Sequence, residues 1–190
     1  EEQERLFQSI GLGIIEPGYV AFASSTETFM ADTSAYCADP AAGSIDTLTA
    51  AWRATMTAWQ SITIVRVGPV EENNRRFRIQ FFPAPNNAVV NNVTSLINDA
   101  QPIDQARVAN SPVGAQGLPA MEYLLFDLGG LDDPVEGPRR CELAIAITEN
   151  LDAMADELAA AWDGAGQLQA DFATGSGVFM DRTEVLTGIL

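Results

Sequence analysis

Apolar residues return every three or four positions through most of this chain, and that period commits it to helices. From Leu48 the positions Ala51, Trp52, Thr55, Met56, Trp59 and Ile62 share one side of a 3.6-residue helix, so both tryptophans point at a core. Ser44 is placed to cap its N-terminus. A second stripe, Leu143, Ile147, Leu151, Met154, Leu158 and Trp162, runs out at Gly164 and Gly166. A third begins with Leu6, Phe7, Ile10 and Ile14 and resumes as Tyr19, Phe22, Ala23, Thr26, Phe29 and Met30, with Pro17 expected to break it in two. Residues 88–99 predict a shorter helix, and Val67 to Asn87, rich in Pro, Asn and Arg, a long connection. Pro119 suits a first helical turn, opening a short apolar helix that ends near Gly129-Gly130. Asp132-Asp133-Pro134 and Gly137-Pro138 read as turns. Four main amphipathic helices joined by loops predict an all-α, up-and-down helical bundle.

Length and composition fit that bundle. With 190 residues, 47% of them hydrophobic, the chain can bury roughly two-thirds of its unfolded surface as one domain. No uninterrupted apolar run approaches the ~20 residues of a membrane span. Glu1-Glu2-Gln3-Glu4 is opposite in charge to the basic start of a signal peptide, so the sequence reads as a mature or trimmed product. There are 26 acids against 10 bases, all arginine, for a net charge of -16. Phosphate binding needs basic side chains to displace counterions, so neither a nucleic-acid partner nor an anionic membrane surface is expected. A solvated acidic surface accounts for the imbalance without a cation-binding role.

The chain has no histidine. Zinc patterns of the HExxH type, Ser-His-Asp triads and Cys-His pairs are therefore excluded. Hard cations such as iron or calcium accept all-oxygen ligands, but there is no DxDxDG loop to supply them. Glu71-Glu72, Asp132-Asp133, and Asp152 with Asp156 read as ordinary solvated acids, and Gly11-Leu12-Gly13 lacks the strand and third glycine of a dinucleotide fingerprint. Cys37 and Cys141 stand 104 positions apart, which excludes a CxxC motif and leaves a disulfide and two buried thiols both open.

Glu122 is the leading candidate for chemistry. Its helical neighbours by three and four are Leu118, Pro119, Leu125 and Phe126, an apolar setting in which a carboxylate needs a partner. Arg66, Asn74, Arg75, Arg76 and Arg78 offer one. Either an Arg–Glu122 bridge clamps the long connection to the bundle, or Glu122, Arg66, Asn74, Arg78 and Tyr123 form a polar pocket that holds a ligand.

The segment Gly117-Leu118-Pro119-Ala120-Met121-Glu122 resembles the GxHxxE signature of the imelysin family, with Pro119 at the histidine position. The resemblance extends to Trp52-Arg53-Ala54-Thr55-Met56-Thr57-Ala58-Trp59-Gln60, Arg66-Val67-Gly68-Pro69-Val70, Glu72-Asn73-Asn74-Arg75 and Arg78-Ile79-Gln80-Phe81-Phe82-Pro83. It runs from about Pro17 to about Trp162. Where the family more often has tryptophan-proline-aspartate, this chain has Phe82-Pro83-Ala84.

That resemblance implies a Cys37–Cys141 disulfide, with one cysteine before the Trp-rich helix and the other after Arg139-Arg140. Their Cα atoms should then lie within about 7 Å. It also implies a protein exported to the periplasm or held there by a lipid anchor outside this chain, in which this chain is the first of two helical bundles; the ending on Ile189-Leu190 fits a chain that continues. The implied role is a binding or accessory component of iron acquisition, with iron or another divalent cation as ligand and an iron-uptake or redox protein as partner. A metal-dependent peptidase of the imelysin type and a helical scaffold docking a partner are the alternatives. Loss of the motif histidine argues against the enzyme.

Overall fold

The computed structural model describes residues 1–127 and 130–189. Gly129 and the terminal Leu190 lie outside them, and the helix expected to end near Gly129-Gly130 already ends at Phe126. Among the described residues there are helices and no strands. They are α1 (Glu2–Ile10), α2 (Glu16–Ala38), α3 (Ile45–Ile62), α4 (Arg75–Ile79), α5 (Ala88–Asn98), α6 (Gln105–Ala109), α7 (Gly117–Phe126), α8 (Gly137–Ala161), α9 (Gln167–Thr174) and α10 (Arg182–Thr187).

Helix α2 is the axis of the bundle, flanked by α3 and α8. Against α3, the Phe22 and Trp59 rings meet at 5.2 Å, and the Thr55 hydroxyl donates to the Ser25 carbonyl at 3.0 Å. Against α8, Tyr19 stacks on Trp162, Thr26 bonds Asp152, and Cys37 is bridged to Cys141. In both series the partner number falls as the α2 number rises, so α2 runs antiparallel to both flanking helices. This is the expected up-and-down arrangement. The α8 stripe is buried along its whole length, Leu143, Ile147, Leu151, Leu158 and Trp162 each being fully inaccessible. At roughly 1.5–3 kcal/mol per large apolar side chain, such stripes dominate the stability of the bundle.

Pro17 does not break the third stripe. The chain stays helical from Glu2 to Ala38, passing through a π-helical turn over Gly11–Ile15, and Pro17 sits in the first turn of α2. A wider turn just before the proline accommodates its missing N–H without ending the helix. By length and composition this run is apolar enough to cross a membrane; a third of its most apolar window is buried inside the bundle. Phe172 of α9 packs edge-on against Phe7, Trp162 and Phe179, and this aromatic cluster holds α1 and the chain after α9 to the end of α8.

The Cys37–Cys141 disulfide forms with Cα atoms 5.5 Å apart, tying the C-terminus of α2 to the first turns of α8. Ser44 caps α3 as expected, its hydroxyl accepting from Thr47 N–H at 3.3 Å. Gly137-Pro138, expected as a turn, instead opens α8, with Pro138 in the first turn where it sacrifices no hydrogen bond. Asp152 is not an ordinary solvated acid. It is half-buried where α2 covers α8, and it accepts from the Thr26 hydroxyl at 2.8 Å. Burial raises its carboxyl above the ordinary carboxylate value, with Asp156 and Glu27 adding to the shift and Thr26 opposing it.

Candidate functional site

Two short helices meet end to end beneath the Gly117–Glu122 segment. Asn73 and Asn74, with φ of 52° and 56°, turn the connection sharply and launch α4. Asparagine tolerates this left-handed backbone better than most residues. The last carbonyls of α4 then press on the first residue of α7. A Cβ on Gly117 would lie 2.2 Å from the Ile79 carbonyl oxygen and 2.3 Å from that of Arg78, and Gly117 has φ of 65°. Only glycine fits both constraints.

A polar network just behind this junction fixes it to α8. Arg78 Nε donates to Gln116 Oε1 at 3.0 Å, and Asn150 Nδ2 donates to the same oxygen at 3.2 Å. Gln116 Nε2 in turn donates to the Ser111 carbonyl at 2.6 Å. Gln116 and Asn150 are both buried. Sequence reasoning selected Arg78 but missed these partners, which lie 38 and 72 positions from it.

The outer side of α7 carries Pro119, Glu122 and Phe126, while Leu118, Ala120, Met121, Tyr123, Leu124 and Leu125 are buried. Glu122 is therefore exposed, and no ion pair engages it among the described residues. The expected Arg–Glu122 bridge does not form, because each arginine of the block is held elsewhere or turned away. Arg75 pairs with Glu157 at 2.6 Å, Arg76 with Glu71 at 2.9 Å, and Arg78 with the buried amides. Arg66 is exposed, its backbone N–H donating to the Gly188 carbonyl. Asn74 is exposed and serves to start α4.

Glu122 and Tyr123 do share a cavity of about 500 Å³. Helix α7 contributes Pro119, Glu122, Tyr123, Phe126 and Asp127 on one side, and Val89 and Val90 of α5 stand opposite. Met56 and the segment Gln80–Phe82 complete the wall. Gln80 anchors that segment to α3, its Oε1 accepting from Trp59 Nε1 at 2.9 Å and from Gln60 Nε2 at 2.8 Å. A second cavity of about 480 Å³ adjoins through Tyr123 and Asp127. Arg66 does not line this groove; it borders a larger hollow formed with Glu71, Phe179 and Glu184.

An antiparallel all-α bundle whose Gly117–Glu122 turn is clamped by α4 defines the class. The family model described as imelysin, a peptidase family by its label, matches residues 15–190, and the chain belongs to the imelysin family. The crystal structure of an imelysin-like protein from Psychrobacter arcticum 273-4 superposes with a TM-score of 0.78 over 90% of this chain, at 19% sequence identity. The match covers 54% of that protein, so the chain spans about half its length. No match was found among curated proteins.

The residues at the motif do not fit a metal centre of the kind a metallopeptidase needs. Three protein ligands with an open position are the usual minimum for a catalytic zinc. Pro119 offers no side-chain donor at the histidine position, and Glu122 and Asp127 supply two carboxylates. No group of three or more His, Cys, Asp or Glu side chains gathers among the described residues.

Proposed function

We propose that this chain is a binding or accessory component rather than a peptidase, exported to the periplasm and working in the iron acquisition that its family resemblance implies. The observation that carries the reading is Pro119. It occupies the first turn of α7 where the family signature places histidine, and beside it Glu122 opens to a solvent-accessible cavity that it shares with Asp127, with no serine, cysteine or histidine in the lining and no third ligand gathered among the described residues. Hydrolysis of a peptide needs an activated water or nucleophile, and two solvent-exposed carboxylates with neither a metal nor a shared proton between them activate neither. Binding asks less: a shaped cavity with a few fixed polar groups. The cavity between α5 and α7 has that form, and the Cys37–Cys141 bridge is compatible with export.

The test is direct. Pure protein incubated with casein and with insulin B chain, with and without added zinc or iron, is expected to leave both substrates intact. Chelator-sensitive cleavage that disappears in Glu122→Gln would restore the peptidase. A strain lacking the gene is expected to grow normally in rich medium and poorly under iron limitation; equal growth in both would remove the iron role.

A further inference from the structure

The cavity above α7 carries a chemical signature beyond its shape. Its lining includes two exposed carboxylates, Glu122 and Asp127, and no arginine. Neither carboxylate side chain has a hydrogen bond or ion pair among the described residues. Around them stand apolar side chains left open to solvent: Phe82 is 74% exposed, Phe126 46% and Val90 37%. Carboxylates alone would describe an ordinary acidic surface, and apolar side chains alone an ordinary sticky patch. Together in one concave site they are complementary to a cation that carries apolar surface.

The molecule already shows one such pairing. The Arg53 guanidinium lies 5.9 Å from the centroid of the Phe126 ring, within reach of the ring's negative face. A bare metal ion is a poorer match, because hard cations take six or more oxygens and the two acids here gather no third ligand. An alkylammonium or guanidinium needs only one or two carboxylates and gains from the aromatic walls. The adjoining cavity, which shares Tyr123 and Asp127, extends the groove enough for residues on either side of a basic one, and the arginine that lines it, Arg140, is paired with Glu136. Arg66 and Arg76 line a neighbouring hollow of about 300 Å³ that shares Gln80 and Phe82 with the groove, and Arg76 is paired there with Glu71.

We infer that the groove between α5 and α7 binds a peptide segment of a partner protein in which a basic side chain is flanked by apolar residues, the cation seated between Glu122 and Asp127 and its neighbours on Phe82, Phe126 and Val90. The inference rests on the binding reading above and names its ligand class.

The experiment is fluorescence anisotropy with a labelled peptide, acetyl-Leu-Arg-Leu-Arg-Leu-amide, and its citrulline counterpart, which keeps the shape and loses the charge. Wild-type protein is expected to bind the arginine peptide and to bind the citrulline peptide at least about tenfold more weakly, as two ion pairs and one cation–π contact would give. Glu122→Gln with Asp127→Asn should lose about the same factor while keeping the helical circular dichroism of the wild type. Because the whole chain is acidic, Glu1→Gln with Glu2→Gln serves as a control of equal charge change at exposed positions outside the groove, and its affinity should stay within about twofold. Equal loss in the control, equal binding of the citrulline peptide, or no binding by the wild type would each overturn the inference. Mass spectrometry of the probe separates the two claims. A cleaved probe would overturn the binding-only function and leave the site, whereas an intact probe that does not bind would overturn the site alone.

Discussion

The Ile79 carbonyl oxygen sits where a side chain on Gly117 would begin, 2.2 Å from the position of a Cβ. The glycine of the family signature is thus a packing requirement: the C-terminal carbonyls of α4 close on the N-terminal turn of α7. The two ends also have opposite partial charges, which favours the contact. Gly117→Ala should therefore cost about 3 kcal/mol or more, since both the left-handed backbone and the carbonyl contacts must give. Gly13→Ala provides the contrast. Nothing lies within 4 Å of its Cβ, and in the helical run it should be neutral or stabilising by up to about 1 kcal/mol. Urea unfolding of the two variants beside the wild type measures the difference.

The Cys37–Cys141 bridge closes a loop of 104 residues, and loops of that length are expected to yield about 4 to 5 kcal/mol by restricting the unfolded chain. Cys37→Ala with Cys141→Ala should lose that much in equilibrium unfolding. Reduction of the wild type should bring its denaturation midpoint down to that of the double variant.

Asp152 gives the bundle a defined pH response. Burial raises its folded carboxyl above the ordinary value, so the folded state holds this proton more tightly than the unfolded chain does. Ionisation then costs stability. The cost is absent below the unfolded pKa of about 3.9 and complete once the pH exceeds the folded value. Asp152→Asn removes the charge and keeps an oxygen for the Thr26 hydroxyl. It should melt higher than the wild type at neutral pH, with the gap closing toward about pH 3. A gap independent of pH would refute this account.

Arg78 holds the junction of α4, α7 and α8 through two buried amides. Arg78→Ala leaves Gln116 and Asn150 short of a charged donor in the interior and should cost about 2 kcal/mol. A thermal unfolding series checks it, and Arg66→Ala, at an exposed side chain, should fall within about 0.5 kcal/mol of the wild type.

Much of the bundle was legible in the sequence because long helices repeat their signal. The stripes of α3 and α8 each cover several turns, so one ambiguous residue does not hide the period. The five-residue helices α4 and α6 gave no such signal; helices this short are held by contacts with the rest of the fold rather than by their own propensity. Glu122 was misplaced for a related reason. Its apolar neighbours suggested a buried face, but Pro119, Glu122 and Phe126 form the one outward stripe of a helix that is otherwise apolar all round. Hydrophobicity cannot orient such a helix. The partners of Arg78 were invisible because they come from distant parts of the chain, brought together only by the packing of α7 on α8.

The central claim is that replacement of histidine by Pro119 leaves the signature without a metal site. Calorimetric titration with zinc and with ferrous iron, on the wild type and on Pro119→His, tests it most directly. The substitution would set an imidazole three residues before Glu122, on the same outward face of α7. The wild type should show no stoichiometric binding of either ion, and Pro119→His should bind zinc at least about tenfold more tightly. One ion per wild-type chain, lost in Glu122→Gln, would contradict the account.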